Sequence, residues 1–281
     1  MPLVRMDLLL RRARAEGRCV AALECWDSTS VRAIATAAER ADAPVVFQAS
    51  PAEYALPGGA EALRELVEWH VRRTGIEAAL HLDHGMQLSE VQECVRAGFT
   101  SVMLDGSHLP YEENVRLTRE TVLIAHRLNV SVEGELGHVA GLEGDISVAE
   151  EDALQTDPEQ AADFVAQTGL DCLAVAIGTV HGVYRGRPQI NLERLEQIAE
   201  RVELPLVLHG GSGTPEDLVR ECIRRGVAKI NICTELQQAW LDGIEASRQV
   251  NSISAPGRFY APAFDCLVER IIEKIELFRS A

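Results

Sequence analysis

Eight short apolar or β-branched runs alternate with longer amphipathic stretches along this chain, and that alternation restricts the folds open to it more than any single residue does. The runs lie near 19–23, 44–48, 79–83, 101–104, 130–135, 172–177, 204–209 and 228–232. Parallel neighbours need a crossover long enough to hold a helix, so strands spaced this way read as repeated βα units. Eight units select an α/β fold of the (β/α)8 TIM-barrel type over an open doubly wound sheet. The opening MPLVRMDLLLRRARAEG reads as a first amphipathic helix, and 264–278 as an additional C-terminal helix after the eighth unit. With no linker or low-complexity tract in 281 residues, 1–281 is expected to form a single barrel domain.

In such a barrel every C-terminal strand end opens on one mouth, so residues distant in sequence can share one site. Three apolar runs, AALHLDH, CLAVAIGTVH and LPLVLH, each close on a histidine: His84, His181 and His209. Three imidazoles converging on one mouth are the donor set of a catalytic divalent metal. His81-Leu82-Asp83-His84-Gly85 sets a carboxylate beside an imidazole. In an extended strand Asp83 and His84 face opposite sides, so both reach the mouth only if the chain turns, as Gly85 permits. His81 lies two residues deeper and reads as a packed residue. Asp105, Glu133 and Glu135 are further strand-end carboxylates, able to hold a second metal position or move protons. Period-two alternation puts Glu133 and Glu135 on one side. Asp105, in Asp-Gly-Ser-His, fits a turn or a helix cap equally well.

The last two runs end in HGGSGTP (209–215) and NICT (231–234), both suited to cradling an oxyanion. Glycines admit close backbone approach, Ser212 and Thr214 offer hydroxyls, and a helix beginning near Pro215 points free N–H groups at the anion. Barrels often bind phosphate at these two loops, although a Gly-rich turn is also common as plain structure. Between 137 and 158 the chain is rich in glycine and acidic residues and shows no periodicity, which reads as a long loop over the mouth or a solvated insertion. Only two lysines occur, Lys229 and Lys274. Schiff-base chemistry would need Lys229, inside the eighth run, whose expected role is structural.

A formal net charge of −16 argues against nucleic acid as a partner, since phosphate-backbone binding needs clustered basic residues. No run of about 18 uncharged apolar residues is present, so neither a membrane span nor a signal peptide is expected. Seven cysteines without a C-x-x-C pair suit a reducing cytoplasmic setting better than a disulfide framework.

Together HLDHG, SVMLDGSHLPYEEN, SVEGELG, AVAIGTVHG, LVLHGGSG and KINICTEL resemble, in order and separation, the class II zinc-dependent ketose-bisphosphate aldolases. The resemblance implies zinc on His84, His181 and His209, with Asp83 as general acid/base. It implies Asp105 and Glu135 as carboxylates of an alternative metal position, and Glu143 as a proton-transfer group. Gly182, Gly210, Gly211, Ser212, Asn231 and Thr234 fall where the family holds dihydroxyacetone phosphate, Asn231 also steadying enediolate charge. Ser50 falls at a substrate contact, and Arg258, in PGRFY, in the segment whose arginine reaches the second phosphate, as in relatives from a neighbouring subunit. A further divalent ion in place of zinc, a monovalent cation (Na+ or K+) at the phosphate, and homodimeric or homotetrameric assembly are also implied. The expected reaction is reversible cleavage of fructose or tagatose 1,6-bisphosphate, a sugar-phosphate substrate, into dihydroxyacetone phosphate and an aldehyde.

One departure stands out. Where relatives commonly carry Asn after the first strand, this chain has Leu23-Glu24, placing a negative charge among the expected substrate contacts. The same chemistry on an aldehyde lacking the distal phosphate, and a metal-dependent isomerase or epimerase, are the alternatives. A noncatalytic sugar-phosphate sensor is a third, opposed by Asp83 standing with all three histidines.

Overall fold

The computed structural model describes residues 3–143, 146–148, 154–182, 186–250 and 256–280, with the backbone alone at 140–143, 146–148, 250 and 259. Its strands are β1 (Val20–Glu24), β2 (Val45–Ala49), β3 (Ala78–Gly85), β4 (Ser101–Leu104), β5 (Ser131–Leu136), β6 (Ala140–Glu143), β7 (Ile146–Val148), β8 (Cys172–Val175), β9 (Val180–His181), β10 (Leu206–Leu208) and β11 (Val227–Ile232). The helices are α1 (Met6–Ala15), α2 (Ser28–Ala41), α3 (Pro51–Ala55), α4 (Ala60–Thr74), α5 (Leu88–Ala97), α6 (Tyr111–His126), α7 (Pro158–Thr168), α8 (Leu192–Arg201), α9 (Glu216–Arg224), α10 (Thr234–Val250) and α11 (Pro256–Arg279).

Strands β1, β2, β3, β4, β5, β8, β10 and β11 close into one barrel in that order, every neighbouring pair parallel, and β11 returns to β1 with Val20 opposite Lys229. All eight sequence runs are thus strands of a (β/α)8 barrel. Alternate residues face opposite ways. Leu23, Phe47, Leu80, Val102, Leu173 and Leu208 belong to the large core between sheet and helices. Val20, Ala22, Val46, Ala79, Cys172, Ala174 and Val207 form a separate interior cluster with Met6, Leu9 and Leu10. The amphipathic face of α1 therefore plugs the N-terminal end of the barrel with apolar side chains. Continuing by twos toward the other end, the same inward rows become polar: Glu24 beyond Ala22, Gln48 beyond Val46, and His81 and Asp83 beyond Ala79. A hydrophobic floor and a charged ceiling follow from one alternation.

Three expectations need correction. β8 stops at Val175, and His181 lies beyond it on β9, so this histidine does not close a barrel strand. Gly178, with a positive φ of 104°, lies in the turn between them. The segment 137–158, expected as irregular, contains the antiparallel hairpin β6–β7, and β6 runs parallel beside β9 with Gly141 opposite His181. Strands of three or four residues interrupted by glycine carry too little periodicity to be read locally; pairing with β9 supplies what the pattern lacks. The C-terminal helix also begins earlier than expected, at Pro256.

Candidate active site

β3 carries the first of the convergent histidines through a local irregularity. Its pairing with β4 slips between Leu82 and Gly85, and His84 itself takes φ 44°. The turn thus sits on His84, not on Gly85 as the sequence suggested. Such a slip rotates one side chain out of the alternation, so Asp83 and His84 both face the mouth. Gly85 serves packing: a Cβ there would lie 2.8 Å from the Met103 carbonyl oxygen and 2.9 Å from a Leu82 methyl.

His84, His181 and His209 offer ring nitrogens within 4.8 Å of one another. Two are fixed by carboxylates. His84 Nδ1 lies 2.8 Å from Asp105 Oδ2, while Asp105 Oδ1 accepts from the Ser107 N–H. Burial raises the Asp105 pKa, but the His84 hydrogen bond and charge outweigh it and hold the carboxyl well below its usual range. His209 Nε2 lies 2.8 Å from Glu133 Oε1, and its Nδ1 is 3.3 Å from Glu135 Oε2. With N–H groups directed at Asp105 and Glu133, the basic nitrogens left are Nε2 of His84 and Nδ1 of His209. Both Glu133 and Glu135 face His209, as period-two spacing required.

Glu133 in turn accepts from Lys229 Nζ at 2.9 and 3.2 Å, both side chains being fully buried. Burial pushes Glu133 up, yet Lys229 and His209 bring it down to about 2. Lys229 is likewise pushed down by burial and carried above its ordinary value by Glu133. Such a lysine is a protonated structural cation, as expected, and unsuited to Schiff-base formation. His81 is packed as anticipated, its Nδ1 2.8 Å from Ser101 Oγ, with burial and Lys229 lowering its pKa.

Asp83 receives Gln48 Nε2 at 2.8 Å and Asn231 Nδ2 at 3.2 Å on each oxygen. Burial alone would raise its pKa; the charges of His84 and Lys229 and the His81 hydrogen bond keep it well below the carboxylate range. Buried carboxylates at Asp83, Asp105, Glu133 and Glu135 outnumber the Lys229 ammonium, an imbalance that a divalent cation on the three imidazoles would offset. The donor set therefore fits zinc.

Asp83 and His181 open onto a cavity of about 230 Å³. Its lining includes Gly182, Gly210, Ser212, Asn231 and Thr234 from the ends of β9, β10 and β11, and Glu24, Ser50 and Glu53 from the ends of β1 and β2 and from α3. Gly210, at φ 66°, would drive a Cβ to 2.6 Å from the Val180 carbonyl oxygen, so only glycine brings this strand end against β9. Ser212 Oγ accepts from the N–H groups of Cys233 and Glu235, both at 3.3 Å, and so meets the start of α10.

The chain matches the family model for class-II fructose-bisphosphate aldolase over residues 4–281. It belongs to that family. A D-tagatose-1,6-bisphosphate aldolase subunit, GatY, of Klebsiella oxytoca is 36% identical over 271 residues, covering 95% of this chain and 94% of that protein. The crystal structure of the YdjI aldolase from Escherichia coli K12 superposes with a TM-score of 0.87 at 32% identity, covering 99% of this chain and 97% of that one. This class II aldolase is accordingly a carbon–carbon lyase of a metal-dependent family.

Most residues carried across from the resemblance meet in this one place, with three exceptions. Gly211 is not among the lining residues: its N–H donates to the Asn231 carbonyl at 3.1 Å, and a Cβ there would be 2.3 Å from Ile230 Cγ2 and 2.7 Å from that oxygen, so packing requires glycine. Arg258 is exposed at the start of α11 and does not line the cavity of its own chain. The side chain of Glu143 lies outside the described residues. Sequence reasoning passed over Gln48, whose Nε2 touches both Glu24 and Asp83. A polar residue ending an otherwise apolar strand was the available signal. No helix among the described residues is long and apolar enough to cross a membrane.

Proposed function

We propose that this chain is a zinc-dependent aldolase that cleaves the C3–C4 bond of a ketose 1-phosphate to dihydroxyacetone phosphate and an aldehyde. The observation carrying it is the convergence of His84, His181 and His209 beside Asp83, at a cavity lined in part by glycines and hydroxyls. Fructose and tagatose 1,6-bisphosphate, the expected pair, are assayed beside ketose 1-phosphates without a distal phosphate, the tagatose-bisphosphate name of the Klebsiella relative supporting their inclusion.

His84 Nε2, His209 Nδ1 and His181 would hold the metal, with Asp105 and Glu135 adjacent as an alternative position. Zinc bound there would polarise the substrate's C2 carbonyl. Gly182, Gly210, Ser212 and Thr234 would cradle the C1 phosphate with backbone N–H groups and hydroxyls, aided by the N-terminus of α10 and a monovalent cation. Asp83, ionised and held by Gln48 and Asn231, takes the proton from the C4 hydroxyl. The C4–O bond becomes the aldehyde carbonyl, C3–C4 breaks, and its electron pair is delocalised from C3 toward the C2 oxygen. The Asn231 amide steadies that charge. A proton returned to C3, assigned to Glu143, completes dihydroxyacetone phosphate.

We take 1–281 as one domain, acting in the cytoplasm as a homodimer or homotetramer in which Arg258 faces a neighbouring copy. The test is dihydroxyacetone phosphate release from ketose 1-phosphates and 1,6-bisphosphates before chelation, after it, and after zinc return. Asp83→Asn should lower kcat about 10²–10⁴-fold with zinc still bound, the range for loss of a general base. Release from no ketose phosphate by zinc-loaded protein would overturn the proposal and favour an isomerase.

A further inference from the structure

Resting on the reading of this cavity as an aldolase site, we infer that the aldehyde half is an uncharged polyhydroxy aldehyde, and that Glu24 selects against one bearing a phosphate. Charge is unevenly spread over the lining. Gly182, Gly210 and Ser212, at the end of β9 and in the loop after β10, are suited to an anion, while Glu24 at the end of β1 and Glu53 on α3 bring carboxylates. Among the described residues no lysine or arginine lines the cavity.

Position along the substrate follows from the chemistry. Asp83 takes the C4 hydroxyl proton, so C4 and the carbons beyond it lie at Asp83. Gln48 Nε2 lies 2.8 Å from Asp83 Oδ2 and 3.2 Å from Glu24 Oε2, which puts Glu24 one side chain away from that end of the substrate. Strand register agrees: Glu24 sits opposite Gln48, and both continue the inward rows of the barrel.

Glu24 is held in place. Its Oε1 accepts from the Ser50 N–H at 3.4 Å and its Oε2 from Gln48 Nε2, and the residue is only 4% exposed, so the carboxyl group is fixed in this place. Glu53 is bound by the Ser50 hydroxyl in the same lining. Carboxylate oxygens accept hydrogen bonds and donate none when ionised, so they take hydroxyl groups, and a phosphate dianion meets repulsion instead.

The test uses the zinc-loaded, full-length enzyme in the condensation direction, with dihydroxyacetone phosphate and either D- and L-glyceraldehyde or glyceraldehyde 3-phosphate. Repulsion from a partly desolvated carboxylate predicts kcat/KM at least about tenfold higher for an unphosphorylated aldehyde. Glu24→Gln, near-isosteric, should narrow that ratio by about tenfold through improved use of glyceraldehyde 3-phosphate. Glu53→Gln should shift it the same way by less, and stands in should the first variant fail to fold. A wild-type preference for glyceraldehyde 3-phosphate, or a ratio unmoved in both variants, overturns the inference. Deuterium exchange from solvent into C3 of dihydroxyacetone phosphate separates the remaining failures. Exchange without condensation overturns the acceptor assignment and leaves the aldolase reading standing; neither exchange nor condensation overturns both.

Discussion

Lys229→Met keeps most of the side chain's volume and removes its charge, leaving Glu133 as a buried carboxylate that still faces His81 and His209. Both members of the Lys229–Glu133 pair are 0% exposed, so water screens neither. Breaking a buried pair from one side costs about 3–5 kcal/mol, chiefly the stranded charge. At about 2 °C per kcal/mol for a chain of this size, Tm should fall about 6–10 °C at neutral pH. Glu133→Gln should cost a comparable amount by stranding the ammonium. The double variant, with neither charge, should regain more than half of either loss. Thermal unfolding by circular dichroism, with denaturant midpoints alongside, measures all corners of this cycle. A loss below about 1 °C for Lys229→Met, or strict additivity in the double variant, would refute the reasoning. The pH dependence has a definite sign. Glu133 titrates near 4.5 unfolded and at about 2 folded, so its contribution is complete above 4.5 and is lost as pH falls from 4.5 toward 2. In chelated protein the advantage of wild type over the double variant should therefore shrink across that window.

Alanine at His84, His181 or His209 should reduce bound zinc from about one per chain to below about a tenth, read by elemental analysis; undiminished zinc would remove that residue from the ligand set. Gly211→Ala, whose Cβ would meet Ile230 Cγ2 at 2.3 Å, should cost about 1–3 kcal/mol and raise KM through the displaced Asn231, whereas an unchanged denaturant midpoint would contradict the packing assignment. Iodoacetamide at pH 8 should modify Cys233 and Cys266 and spare Cys19, Cys25, Cys94, Cys172 and Cys222, because burial pushes the latter thiols up, Cys222 to about 12. Peptide mass spectrometry reads the difference, and rapid labelling of Cys172 would count against the closed barrel interior.

The barrel was legible because each strand is buried on both faces and must be a short apolar run, a property of local sequence. The convergence of His84 and His209 was legible for the same reason, since parallel strands deliver their ends to one mouth. The motifs carried the family. What local pattern cannot encode is pairing between distant segments. His181 reaches the site on β9, which pairs with β6 and lies against Gly210, and β6 is too short and glycine-rich to be recognised alone. Likewise His84 turns inward through a slip against β4, and Gly211 is needed because Ile230 and Asn231 lie behind it. Charge follows the same division: Glu24 was visible as an acidic residue at a strand end. Its meaning came from Gln48, Ser50 and Asp83, brought beside it by barrel closure, where burial removes the water that would otherwise screen it.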